Sequence, residues 1–361
     1  MAAGQRGAFY TKYQEIDSYV RNNFFGDINE NELLLSVFNG YILGIGDKYA
    51  QYRTPDEYYE LQQSESGSFI TAGMVTEPET GGYLLVTDVL DGSSAEHLGV
   101  QPGDFITIID GVSVLELGVA RAQRNLSGDE GTRLNIVTMR DGVENRHTLI
   151  RQRIDIITAR GVASGAVGYI RITGFNRLTD FQFITIYEQM ETNQVRALII
   201  DLRETDGVLL TPLRNILNRL VGTAALATAR DKAGNVANII TTEGEPPPDL
   251  PIVVLIDSGT KRYAELFAAI LRDFKSAQLV GTVSAGDATM TNTQVFRDGS
   301  ALTISVAKVK SAASPDFDEV GIMPDFIVEM SAPIEQDIAN IENTTDLQLK
   351  KAFDILSSII Q

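Results

Sequence analysis

The chain has 361 residues, 43% hydrophobic and 22% charged, with 48 Asp and Glu against 30 Lys and Arg. The formal charge of -18 repels nucleic acid and anionic membrane, which excludes both as expected partners. With no cysteine, disulfides, zinc-thiolate sites and cysteine nucleophiles are excluded, and no apolar run reaches the roughly 18 residues of a membrane helix.

The length suits roughly two or three domains. The opening MAAGQRGAFY lacks the apolar core of a signal peptide. It fits either a cytosolic chain or one whose leader or anchor has been removed. Only His97 and His147 are present, so a histidine-dependent triad would have to use one of them.

Residues 1–63 read as a helical region. Tyr13, Ile16, Val20 and Phe24 recur at helical spacing, as do Leu34, Val37, Phe38 and Tyr41. Gly44 and Gly46 break the second helix. Thr54-Pro55-Asp56-Glu57 is a capping box that opens a third. Such helices bury little alone, so they are expected to pack on the later segments of the chain.

Residues 64–152 change character. Strand-like runs lie at 83–86, 105–109, 134–139 and 146–151, with turns at Asp91-Gly92, Pro102-Gly103, Asp110-Gly111 and Asp141-Gly142. Short helices fit 94–98 and 119–126. Strand-rich, with two small helices, this segment suggests a compact, partly open barrel.

Residues 153–361 read as α/β. Strands are expected at 168–173, 195–202, 252–256 and 278–281, and hairpins at 225–241 and 293–308. Helices carry apolar faces at Phe181 to Met190, 212–221, 263–274 and 347–360. GEPPPDL, residues 244–250, reads as a rigid connection. The fold class is a mixed sheet with helices on both faces, plus an inserted domain and the helical N-terminal region.

Two resemblances sharpen this. GGYLLVTDVLDGSSAEHLGVQPGDFITIIDGVSV is similar to the core of a PDZ domain. The resemblance places a peptide-carboxylate loop at Phe69, Ile70, Thr71, Ala72, Gly73 and Met74. There, backbone N–H groups would receive a terminal carboxylate while the peptide adds a strand. Gly73 is kept, and Thr71 stands where related proteases carry another glycine. His97 and His147 are read as surface or rim residues of this domain.

The order of segments as a whole resembles the carboxyl-terminal processing peptidases, serine proteases of family S41 with a Ser/Lys dyad. The markers are FFGDINENELLLSVFNGYILGIGDKYAQYRTPDEYYEL, the PDZ segment, GYIRITGFN, ALIIDLRETDGVLL, IVVLIDSGTKRYAELFAAIL, QLVGTVSAGDATM, DGSALTISVAKV, GIMPDFIVEM and DLQLKKAFDIL. In that family a serine at a helix start attacks the scissile carbonyl. A partly buried lysine some two dozen residues on is the base, and two backbone N–H groups hold the oxyanion.

Aligned on Gly259 and Glu265, the nucleophile position is Arg262 and the serine before the glutamate is Ala264. Between Gly281 and Ala288, the lysine position is Asp287, and the glutamine one turn beyond is Thr291. The oxyanion loop keeps Gly207 but has Val208 for its second glycine; the other donor position, beside the nucleophile, is Tyr263.

Arg262 and Asp287 carry opposite charges, and the hypothesis is that they form an ion pair where the dyad would stand. Ser258 with Lys261, Ser284 beside Asp287, and Lys275 with Ser276 are read as solvated loop or helix ends. Asp316, Asp318 and Glu319 are read the same way. Tyr263, Leu266, Phe267, Ile270, Leu271 and Phe274 are read as core packing. No metal-ligand spacing and no cofactor motif is present.

The resemblance therefore implies a PDZ-containing processing peptidase that no longer cuts, binding polypeptide C-termini or regulating a partner. The alternative is an active serine endopeptidase altered at its site or using a different nucleophile. The expected partners are polypeptide C-termini or unfolded segments, with a second copy or an active relative as further candidates. The resemblance also implies a location outside the cytoplasm.

Overall fold

A computed structural model describes residues 3–243, 249–330, 334, 341 and 344–360. Most of the GEPPPDL connection, residues 244–248, lies outside the described residues. The chain divides into two compact units: residues 1–54 with 292–305, and residues 55–291 with 306–361.

In the first unit, helices Ala3–Asn23 and Glu30–Gly44 are tied by Arg21, whose guanidinium bridges Asp17 and Glu30. Asn29 caps the second helix by accepting from the Glu32 N–H. A short strand, Gln51–Arg53, pairs antiparallel with Ala301 to Thr303. It was not legible in the sequence, because three residues carry no period.

The apolar stripes of these helices are not covered within the unit. Phe9, Tyr13, Ile16, Phe24, Leu34 and Tyr41 are exposed, and among the described residues of the two helices Ile42 alone is buried. A cavity of about 440 Å³ opens here, lined by Phe38, Tyr41, Ile42, Tyr52, Phe296 and Leu302 among others.

In the second unit, the strand-rich segment forms an antiparallel sheet in the order Met74–Pro78, Leu84–Val89, Phe105–Ile109, Arg133–Arg140, Val143–Ile150. Helix Val119–Leu126 packs beside the first two strands, and Ala122 and Leu126 face the core. His97 Nδ1 lies 2.7 Å from Ser93 O, and His147 sits between Thr138 Oγ1 and Leu98 O.

A second, mostly parallel sheet runs Ala159–Ser164, Val167–Ile172, Ala197–Asp201, Ile252–Ile256, Gln278–Gly281, Phe326–Ile327. The first strand is antiparallel and the rest are parallel. Parallel strands covered on both faces must be apolar throughout. Ile252, Val254 and Ile256 enter the core under helices Thr179–Thr192, Leu210–Leu220 and Tyr263–Lys275, while Val253 and Leu255 meet the closing helix Leu347–Ile360. The alternation of period two thus feeds two separate cores.

A buried polar cluster fastens that closing helix. Arg203 donates to both oxygens of Asp201, at 2.9 and 2.6 Å, and to Asp346 and Gln348 at 2.6 and 2.9 Å. Tyr169 donates to Asp201 at 2.7 Å. Asp346 in turn caps the helix by accepting from the Gln348 and Leu349 N–H groups.

Candidate functional site

The site is assembled where the parallel strands end. Strand Ile252–Ile256 runs into Asp257, whose carboxylate accepts from the N–H groups of Glu204, Gly259 and Thr260 at 2.9, 2.9 and 3.0 Å. One side chain therefore folds the turn and fastens it to the preceding loop. Thr260 adds a second tie, donating to Leu202 O at 2.8 Å.

Beyond the turn, Lys261 and Arg262 pair in parallel with Asp206 and Gly207. Helix Tyr263–Lys275 then starts at once. Arg262 adopts φ 53° and ψ -122°, a conformation that L side chains disfavour by about 1–3 kcal/mol. A sharp strained turn between strand and helix is the backbone that presents a nucleophile in many α/β hydrolases. Here it presents a guanidinium.

That guanidinium does not meet Asp287. Nε donates to Asp206 Oδ1 at 2.7 Å and Nη2 to Asp206 Oδ2 at 2.5 Å, a side-on bidentate pair. The expected Arg262–Asp287 ion pair is thus replaced by one with Asp206. The reason is backbone register: parallel pairing sets Asp206 and Gly207 beside Lys261 and Arg262. Gly207 is required for that approach, since a Cβ there would lie 2.3 Å from Ala264 N and 2.7 Å from the Tyr263 carbonyl carbon.

Asp287 is 2% exposed, and its Oδ1 has no hydrogen-bond partner among the described residues. Its N–H donates to Glu265 Oε2 at 2.8 Å, while Gly286 N–H and Ser284 Oγ donate to Oε1 at 2.7 and 2.5 Å. Glu265 therefore holds the loop that carries Asp287. Burial pushes the Glu265 carboxyl above its usual range; those three bonds pull it down, and the Asp287 charge adds to the rise.

The raised Glu265 carboxyl makes stability depend on pH. Between the unfolded and folded pKa the native state holds the extra proton, so this group's contribution falls as pH rises and recovers as pH falls. In denaturation series from pH 7 downward, wild type should gain stability relative to Glu265→Gln. A constant difference would contradict this.

Ala264 is buried in the core with Leu266, Phe267, Ile270 and Leu271, and Phe274 packs against that core. Tyr263 is also buried, and desolvation pushes its hydroxyl up to about 12 against the opposing pull of Arg262. Val208 is half-buried, and Thr291 lies in strand Thr289–Val295.

Ser258 is exposed, whereas Ser284 is buried, donating to Glu265 and accepting from the Ile322 N–H. Among the described residues no serine hydroxyl is hydrogen-bonded to a lysine amine or to a histidine ring.

In the PDZ segment, Phe69 and Ile70 lie in strand Ser68–Thr71, paired with Gln152–Asp155. Thr71 Oγ1 accepts from the Gly73 N–H at 3.2 Å. Strand Met74–Pro78 is an edge of its sheet, and Gln123 from the neighbouring helix donates to its Thr76 O at 3.1 Å.

Residues 166–328 match the family model of peptidase family S41, and residues 85–140 that of a PDZ domain. These two segments are thus similar to peptidase family S41 and to a PDZ domain. It is 29% identical to the carboxyl-terminal-processing protease of Synechocystis sp., over 87% of this chain and 74% of that one. It is 25% identical to the carboxy-terminal processing protease CtpA of Bacillus subtilis, over 89% and 69%. The fold is similar to a solved photosystem II D1 C-terminal processing protease, with a TM-score of 0.51 and 21% identity, over 88% of this chain and 86% of that one.

The segment 166–328 contains both the strained turn and the Glu265 loop. The residues that sequence reasoning missed are Asp206, Asp257 and Ser284 as structural partners. Asp206 had one signal, its position directly before the retained Gly207.

Proposed function

We propose that this chain is a non-hydrolytic member of its peptidase family that binds polypeptide C-termini or unfolded segments. The observation that carries the reading is Arg262, a guanidinium held by Asp206 on the turn where the family places its attacking serine. Asp287 supports it, since a carboxylate at the base position cannot supply the neutral amine of a Ser/Lys dyad. The roles of Arg262, Ala264, Asp287, Thr291, Gly207, Val208 and Tyr263 as former catalytic and oxyanion positions belong to this reading. So does peptide binding at residues 69–74.

Arg262→Ser discriminates against the alternative of a protease altered at its site. The single variant is expected to remain inactive on an unfolded protein substrate, because no base accompanies the new hydroxyl. Cleavage by Arg262→Ser with Asp287 still in place would favour the altered enzyme. Adding Asp287→Lys restores a dyad, but Val208 still stands where the family has its second oxyanion glycine.

The partners proposed with this reading are a second copy of the chain or an active relative, in a compartment outside the cytoplasm. The uncovered apolar residues of the first unit support self-association, since exposed patches of this kind mark interaction surfaces. Light scattering should give a mass above that of one chain, and a monomer would count against it.

A further inference from the structure

We infer that Arg262 is a receptor for the free carboxylate at the end of a polypeptide, with Asp206 as its resident competitor. This deepens the reading of the site as a non-cleaving peptide binder and rests on it. The guanidinium already holds a carboxylate in the side-on geometry that suits such a ligand, through Nε and Nη2.

The pair is reachable. Its side chains are 21% and 39% exposed, in contrast to the buried Asp201–Arg203 pair. Arg262 is fixed by its strained backbone and by the parallel pairing below it, whereas the Asp206 carboxylate has no other hydrogen bond among the described residues. Asp206 can therefore turn out to water while a ligand carboxylate takes its place. One charge-assisted pair is exchanged for another, so the exchange is close to balanced and the ligand's remaining contacts decide it. A guanidinium at this turn favours a chain end over an internal peptide bond, because the peptide carbonyl carries no charge to replace that of Asp206.

The test is fluorescence anisotropy on the full chain, using one short labelled peptide with an apolar tail as free acid and as C-terminal amide. Any preference of the PDZ loop for the acid is common to all variants, so differences between variants report on the core site. Asp206→Asn removes this competing carboxylate and is expected to raise affinity for the acid several-fold while leaving the amide unchanged. Arg262→Gln is expected to lower the acid-to-amide ratio below that of wild type, with Arg262→Lys between them. The same ratio in wild type, Asp206→Asn and Arg262→Gln would overturn the inference while leaving peptide binding intact. Cleavage of either peptide, or binding of neither, would overturn the underlying reading and the inference with it.

Discussion

Arg203→Ala is expected to lower stability by about 3–5 kcal/mol, the usual loss when one partner of a buried ion pair is removed. Arg203 and Asp201 are almost wholly buried, and Asp346 nearly so. Without the guanidinium, Asp201 keeps only Tyr169 as a side-chain donor among the described residues, and Asp346 loses its tie to the sheet. The closing helix Leu347–Ile360 then remains held by apolar contacts of Leu349, Ala352 and Leu356. Urea denaturation measures the loss. A change below about 1 kcal/mol, the range of exposed pairs, would show that the cluster is not structural.

Gly281→Ala is the second large effect. Gly281 sits at φ 133°, and a Cβ there would lie 2.0 Å from Ile256 O. The backbone penalty is about 1–2 kcal/mol and the overpacking about 1–3 kcal/mol. Because the obstacle is a carbonyl of the adjacent parallel strand, no rotamer relieves it. The strand Gln278–Gly281 leads into the loop that Glu265 holds, so the loss should reach the site as well as the fold. Thermal unfolding should show a marked drop in Tm, and an unchanged Tm would contradict this geometry.

The buried strands show where the sequence was informative. The run ALIID and the run IVVLI announce buried parallel strands by composition alone. Helix 263–274 announces itself by its apolar stripe. The turn between strand and helix follows from Gly259 and from the order of elements. Strands Ser68–Thr71, Gln152–Asp155 and Ala159–Ser164 were not legible, because they are short and mix polar with apolar residues without a clean alternation.

The charges at Arg262 and Asp287 were legible in the sequence, and their partners were not. Opposite charges at Arg262 and Asp287 suggested a pair, but charge does not encode distance. Asp206 reaches Arg262 through a register set by strand pairing across a separation of 56 residues. The Arg203–Asp346 bond spans 143 residues and has no local signal at all. Glu265 served as a marker of alignment, and its role as acceptor for the 284–287 loop emerges only when the loop folds back over the helix start. The positive φ of Arg262 is likewise invisible in sequence, since such conformations are expected at glycine.

The proposed loss of hydrolysis at the strained turn of Arg262 can be tested directly. The most direct measurement incubates the purified wild-type chain with unfolded casein and follows new N-termini by mass spectrometry. The chain as it stands should generate none above a no-protein control. Sustained cleavage that scales with the amount of chain, and persists through repurification, would contradict the claim.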